Sequence, residues 1–240
     1  MSGLAEKFND YIHYLKPIPL PAKCIVMSDA HAGNGDMHDP LRGSGFENLI
    51  LDILREYHGK GYTLLKNGDW WDVWRGHDVA LISAAHFHLW EIARAYGCMG
   101  RLYETLGNHE RDCFNYPEAL IFEGFGKKIF MWHGAIGDWP NDEGWRVGRF
   151  AIRSADQLTG MGIKVDPQTS PHPTNPERHE AVRSMAHNLV VQYPDWDFLW
   201  GHTHYFDNDG NNHNSGAPIS ISEYRGYLIE EGNIIPIRRT

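Results

Sequence analysis

The sequence predicts a layered α/β protein, and three observations carry that expectation. Strand-like apolar runs alternate with helical stretches through the first half of the chain. Five apolar runs are each followed by a loop bearing Asp, Asn or His. A helical stretch then interrupts the alternation before a closing set of strands. Alternating strands and helices build sheets covered by helices, and ligands collect at the carboxyl ends of such strands.

The chain of 240 residues has room for one large α/β domain, taken as residues 1–240 with a helical cap insertion at about 140–192. Apolar residues at 42% and charged residues at 22% describe a globular protein. The net charge of -9 argues against binding nucleic acid through its backbone. It leaves room for a phosphorylated small-molecule or nucleotide-type substrate, because bound cations reverse the local sign. Cys24, Cys98 and Cys113 are odd in number and form no C-x-x-C pair, as expected of free thiols in a reducing cytoplasm. No secretory leader and no membrane-spanning run is read, so the expectation is a cytoplasmic protein.

The elements follow in order. Leu4, Phe8, Ile12 and Leu15 stand at helical spacing before Pro17 and Pro19 stop the pattern. Cys24–Met27 reads as a strand that delivers Asp29 and His31 into a loop rich in Gly and Asp. A helix follows, with Phe46, Leu49, Ile50, Ile53, Leu54 and Tyr57 on one side and Gly59 and Gly61 at its end. Tyr62–Leu65 is a buried strand running into Lys66-Asn67-Gly68-Asp69-Trp70-Trp71-Asp72, the stretch around which the chain is organised. Residues 78–96 are expected to form one helix. The next strand, Leu102–Leu106, precedes Gly107-Asn108-His109-Glu110, a short helix is expected at about 116–124, and Ile129–Trp132 precedes His133-Gly134. The insertion carries two amphipathic helices, the first with Val147, Phe150, Ala151, Ala155 and Leu158 on one stripe. The second shows Val182, Met185, Ala186, Leu189 and Val190. Phe198–Trp200 then leads into Gly201-His202-Thr203-His204, and the tail alternates as antiparallel strands with turns at Arg225-Gly226 and Gly232-Asn233.

Asp, Asn and His supply the hard oxygen and borderline nitrogen donors that divalent metals take. One ion would take Asp29, His31 and His204, the other Asn108, His133 and His202. Asp69, with two oxygens on one carboxylate, can bridge them. Two ions about 3.5–4 Å apart lower the pKa of the water between them and neutralise a forming oxyanion. His109, beside Asn108 but on its own side chain, is positioned to protonate a leaving group, and Asp72 to accept its ring N–H.

Together, Asp29-x-His31, Gly68-Asp69-x-x-Asp72, Gly107-Asn108-His109-Glu110, His133-Gly134 and Gly201-His202-x-His204 resemble the motifs of the calcineurin-like metallophosphoesterase superfamily, over about residues 22–216. The resemblance implies a four-layer α-β-β-α sandwich, two divalent ions (manganese first, with iron, zinc or cobalt also suited) and hydrolysis of a phosphoester or phosphoanhydride. The helical insertion and Asn214-Ser215-Gly216 are similar to UDP-2,3-diacylglucosamine diphosphatases. Those enzymes usually carry Arg where this chain has His109, and Asp directly after His-Gly where it has Ala135. The Gly-Asn-His-Glu form is shared with phosphoprotein phosphatases, whose Arg after Gly-Asp-x-x-Asp is Val73 here. The substrate stays open, and some members of the superfamily are non-catalytic interaction proteins.

Four arginines are candidates for meeting substrate: Arg111 past the motif loop, and Arg146, Arg149 and Arg153 along the first insertion helix. Trp70, Trp71 and Trp74 are expected to pack in the core, shield the metals or stack on a substrate ring. His86, His88 and His213 are expected to be structural.

Overall fold

The computed structural model describes residues 3–36, 39–43, 45–74, 78–135, 146, 150, 176–216, 219–220 and 223–239. The elements are α1 (Gly3–Tyr14), β1 (Ile18–Pro19), β2 (Lys23–Met27), α2 (Phe46–Gly59), β3 (Thr63–Asn67), α3 (Val79–Ala85), α4 (Phe87–Cys98), β4 (Leu102–Thr105), β5 (Ala119–Gly124) and β6 (Lys127–Trp132). After these come α5 (Pro176–Gln192), β7 (Trp196–Trp200), β8 (Asp207–Asp209), β9 (Asn212–Asn214), β10 (Ile219–Ser220), β11 (Glu223–Glu230) and β12 (Asn233–Arg239).

The strands form two six-stranded sheets. One runs β1-β5-β6-β7-β9-β8; the other runs β10-β11-β2-β3-β4, with β12 on β11. Why the strands read as continuous apolar runs is clear from where alternate residues go. Ile25, Met27 and Leu64 pack under α2 and α4. Cys24, Val26 and Leu65 face the other way, against Ile129, Met131 and Leu199 of the opposite sheet. Phe130, Trp132, Phe198 and Trp200 then fill the outer face of the first sheet, with Phe8 of α1 and Val182, Ala186 and Leu189 of α5. Strands buried on both faces lose the polar side of the alternation. Three apolar layers between four layers of secondary structure make the expected α-β-β-α sandwich.

Parallel pairing sets the functional end. β2, β3 and β4 run parallel, as do β6, β7 and β9. Their carboxyl ends therefore open on the same side of each sheet. The second of the expected insertion helices is α5, which lies on the outer face of the first sheet. Of the first, only Arg146 and Phe150 are described. Both are helical and exposed, Phe150 at 73%, so Phe150 does not join a buried stripe.

Three expectations are corrected. Residues 119–124 form β5 rather than a helix, because the run Ala-Leu-Ile-Phe has no periodicity to separate the two and β6 offers an antiparallel partner. Residues 78–96 form two helices, broken at His86, whose backbone leaves the helical region at φ -116°, ψ 44°. Arg225-Gly226 lies inside β11, and the reversal into β12 falls at Glu231-Gly232, between the paired residues Glu230 and Asn233. Gly226 is needed there for clearance: a Cβ would sit 2.5 Å from the Tyr224 hydroxyl and 2.8 Å from the Val26 carbonyl oxygen.

His86 breaks the helix to reach Asp39. Its Nε2 lies 2.6 Å from Asp39 Oδ2, while Asp39 also accepts the backbone N–H groups of Gly35 and Leu41. Glu47 stands 3.1 Å from the other ring nitrogen. Although burial opposes it, these carboxylates raise the His86 pKa, and the same pairing lowers that of Asp39. A raised histidine contributes stability below its unfolded pKa of about 6.5, lost as pH climbs through the folded value. A lowered aspartate contributes above about 3.9, lost as pH falls through its own. The pair therefore fastens the Asp29–Gly45 loop most firmly between about pH 4 and 6.5. His86→Gln is expected to lower the melting temperature most in that window and least at pH 9. A pH-independent difference in thermal melts would refute the linkage.

Candidate metal centre

The ligand-type residues sit on strained backbone. Among the described residues, positive φ at non-glycine positions occurs at Asp29, His31, Asp69, Phe125, His202, His204 and Glu231. Five of these are candidate ligands. Such conformations cost about 1–3 kcal/mol each and persist where the surroundings enforce them. Here the enforcing bonds run between loops. Asp29 N–H donates to Gly68 O, His31 N–H to Asp69 O and Ala32 N–H to Trp70 O, extending the β2–β3 pairing past the strand ends. His202 N–H donates to the Asp29 carboxylate at 3.0 Å, and His109 N–H to Asp69 Oδ1 at 2.9 Å.

The side chains converge behind this frame. Asp29, His31 and His204 bring one ligand atom each within 4.8 Å of one another, and so do Asp69, His133 and His202. His31 Nε2 and His204 Nε2 face each other at 3.1 Å. Asp69 Oδ2 lies 3.0 Å from His133 Nε2 and 3.9 Å from His31 Nε2, between the two groups. A third set, His31, Asp72 and His109, is equally compact.

The donor set fits a pair of divalent ions. His133 Nδ1–H donates to Asn67 O at 3.0 Å, which leaves Nε2 facing Asp69 Oδ2 at 3.0 Å, free to carry a proton there or to hold an ion instead. His133 Nε2 and Asn108 Oδ1 are both buried without a hydrogen-bond partner. Buried polar atoms are nearly always satisfied. Two such atoms beside two buried carboxylates suit donors that would hold a cation. The electrostatics agree. Burial alone would raise Asp29 and Asp69, yet the charge of His133 and its neighbours holds Asp29 below the usual carboxylate range and Asp69 well below it. In return, against the effect of burial, Asp69 and Asp29 push His133 up to about 9. His31 falls to about 3, chiefly through burial and then through the charge of His109. Positive charge is wanted at this spot, and a proton on His133 supplies it where an ion can.

His109 stands beside this cluster. Its Nδ1 is 2.9 Å from Asp72 Oδ1 and its Nε2 is 4.0 Å from Asp69 Oδ2. Burial opposes protonation, but Asp69 and Asp72 raise its pKa. Trp74 stacks on the ring at 4.5 Å, and His31 meets it edge-on at 4.6 Å. Gly107 lets the two loops close: a Cβ there would lie 2.1 Å from Asp69 Oδ1.

The arginines stand apart. Arg111 Nη2 pairs with Glu118 at 3.5 Å. Arg146 is exposed, and Arg149 and Arg153 lie outside the described residues. Trp70, Trp71 and Trp74 are buried. His213 is bound to Asn208 and Asp197, as a structural histidine would be. Two groups went without a role in the sequence reading. Glu110 is fully buried, and Lys66, also fully buried, pairs with it. The signal was present: a lysine in the run Leu64-Leu65-Lys66-Asn67, where nothing else is charged.

No helix among the described residues is long and apolar enough to cross a membrane. No family model matches the chain, and no curated protein matches it. Solved structures do show a likeness. A conserved protein of Streptococcus pneumoniae, described as a predicted phosphoesterase, is 17% identical with a TM-score of 0.38, over 91% of this chain and 98% of its own. Vacuolar Protein Sorting 29 from Cryptosporidium parvum is 12% identical with a TM-score of 0.40, over 90% and 96%. A single mutant of Vps29 from Entamoeba histolytica is 15% identical with a TM-score of 0.36, over 90% and 98%. Likenesses this distant carry no assignment, and the functional reading rests on the residues.

Proposed function

We propose that the chain is a calcineurin-like dimetal phosphoesterase. The observation that carries the reading is the position of Asp69. Its buried carboxylate lies between the Asp29–His31–His204 group and the His133–His202 group, with the orphaned amide oxygen of Asn108 on a neighbouring loop. When bound, two divalent ions would supply a nucleophilic water at neutral pH and neutralise charge on the phosphoryl oxygens.

The chain's own residues do the rest. Asp29, His31 and His204 would hold one ion; Asn108, His133 and His202 the other; Asp69 both. Asn67 O fixes the tautomer of His133 by accepting its Nδ1–H. Asp72 does the same for His109, turning Nε2 toward the cluster, where it can give a proton to a leaving oxygen. Trp74 stacks on the face of the ring and holds it in that orientation. Manganese is the first ion to test, with iron, zinc and cobalt next.

The test is a hydrolysis panel with the manganese-loaded chain, covering phosphomonoesters, phosphodiesters, nucleoside diphosphate sugars and phosphopeptides. Turnover that requires added metal and is abolished by a chelator is expected. Cleavage of nucleoside diphosphate sugars would support a relation to the UDP-sugar-lipid pyrophosphatases, and cleavage of phosphopeptides one to the phosphoprotein phosphatases. Two bound ions with no hydrolysis anywhere in the panel would instead favour a metal-binding interaction protein.

A further inference from the structure

The most unusual group outside the ligand set is Lys66. It stands near the end of β3, two residues before Gly68, with its side chain fully buried. Its ammonium is 2.9 Å from Glu104 Oε1, its cross-strand neighbour on β4, and 3.5 Å from Glu110 Oε1. The rings of Trp70, Trp71, Phe114 and Tyr116 surround it at 4.7 to 5.8 Å. Burying an ammonium costs several kcal/mol, and a well-packed apolar residue in its place is often neutral or stabilising. Packing alone does not call for a lysine here.

Glu104, the nearer partner, is partly exposed on β4, and what the charge does for the motif loops follows from the second partner. Glu110 is fully buried at the end of the Asn108–His109 loop. Its Oε1 accepts the backbone N–H groups of Trp70 at 3.1 Å and Trp71 at 3.3 Å; its Oε2 accepts Gly107 N–H at 3.2 Å. One carboxylate thus ties the residues just after Asp69 to the residue just before Asn108. Lys66 approaches the same Oε1 from the β3 side.

We propose that Lys66 is a positioning residue: by pairing with Glu110 it holds the Asp69 loop and the Asn108–His109 loop at the spacing that lets both serve one pair of ions. The inference rests on the dimetal reading. It touches neither metal nor substrate, so its effect is read first in ion binding.

The experiment uses the full chain, stripped with chelator and titrated calorimetrically with Mn²⁺, alongside kcat and KM on bis(p-nitrophenyl) phosphate. The variants are Lys66→Met, Glu110→Gln and the double variant. Each single change is expected to weaken Mn²⁺ binding 10- to 100-fold, the usual effect of removing a partner that orients ligands. The double variant should be no weaker than the worse single one, because one interaction is removed twice. A residue that only filled space would give a different result. Lys66→Met would then bind two ions with wild-type affinity and keep wild-type kcat and KM, or the two losses would add, and either outcome overturns the proposal. If Lys66→Met does not fold, Glu110→Gln breaks the same pair in the same shape, and wild-type ion binding there overturns it equally. A wild-type chain that takes up no pair of ions would sink the dimetal reading itself. Two ions in the wild type and two equally tight in Lys66→Met would sink this inference alone.

Discussion

Replacing Asp69 with alanine is expected to remove both metal ions and reduce hydrolysis to background. Asp69 is the carboxylate that faces both ligand groups, at 3.0 Å from His133 Nε2 and 3.9 Å from His31 Nε2. Each ion would lose a ligand at once, and the two cations would be left without the negative charge that lets them sit close together. Stability without metal should fall as well. In the stripped protein the charge of His133 holds Asp69 well below the usual carboxylate range, so deleting that carboxylate strands the imidazolium together with the N–H of His109. The stripped variant is therefore expected to melt below the stripped wild type at neutral pH. Adding Mn²⁺ at about 100 times its dissociation constant should stabilise the wild type by about 2.7 kcal/mol and leave the variant unchanged. Elemental analysis after desalting is the second check. Two ions retained per chain by Asp69→Ala would show that some other residue bridges them.

The layered α/β fold and the meeting of candidate ligands were both legible in the sequence. Each motif follows an apolar run, and a buried strand's end fixes where a loop residue lies to within a few ångströms. The convergence of Asp29, Asp69, His133, His202 and His204 could thus be read from order alone. β2, β6 and β7 also end at the residues the sequence indicates, Met27, Trp132 and Trp200, while β3 runs two residues past Leu65 to Asn67. What was hidden depended on partners far away in sequence. Ala119–Gly124 became a strand because β6 follows it through Phe125-Gly126, not because of any pattern of its own. His86 broke a helix because Asp39, 47 residues earlier, lies within reach. Arg225-Gly226 looked like a turn because glycine supplies either positive φ or clearance, and only the position of Tyr224 decides between them. Lys66 and Glu110 stayed unread for the same reason. A lone lysine on a strand gains meaning only when a buried carboxylate is placed 3.5 Å away.

His109→Ala is expected to keep both ions and lose turnover by about 10²- to 10⁴-fold, the range for removing a general acid. The ring is not part of either candidate ion-binding group built on Asp29 or Asp69. Its Nδ1 is held by Asp72, its face by Trp74, and its Nε2 points at the cluster from 4.0 Å. Removing it opens a space but leaves the ligands' own bonds in place, so Mn²⁺ binding should change less than threefold by the same calorimetry. The signature lies in the leaving group. A p-nitrophenolate departs without a proton, whereas an alkoxide needs one. The loss should therefore be largest for an alkyl phosphate ester and smaller for the aryl one, with KM little changed for either, because the proton is delivered only in the transition state. Asp72→Asn should follow the same ordering with a smaller loss, since the imidazole remains but its orienting carboxylate does not. An alkyl ester hydrolysed by His109→Ala at the wild-type rate would remove His109 from the chemistry. An equal loss on both esters would reassign it to holding a phosphoryl oxygen.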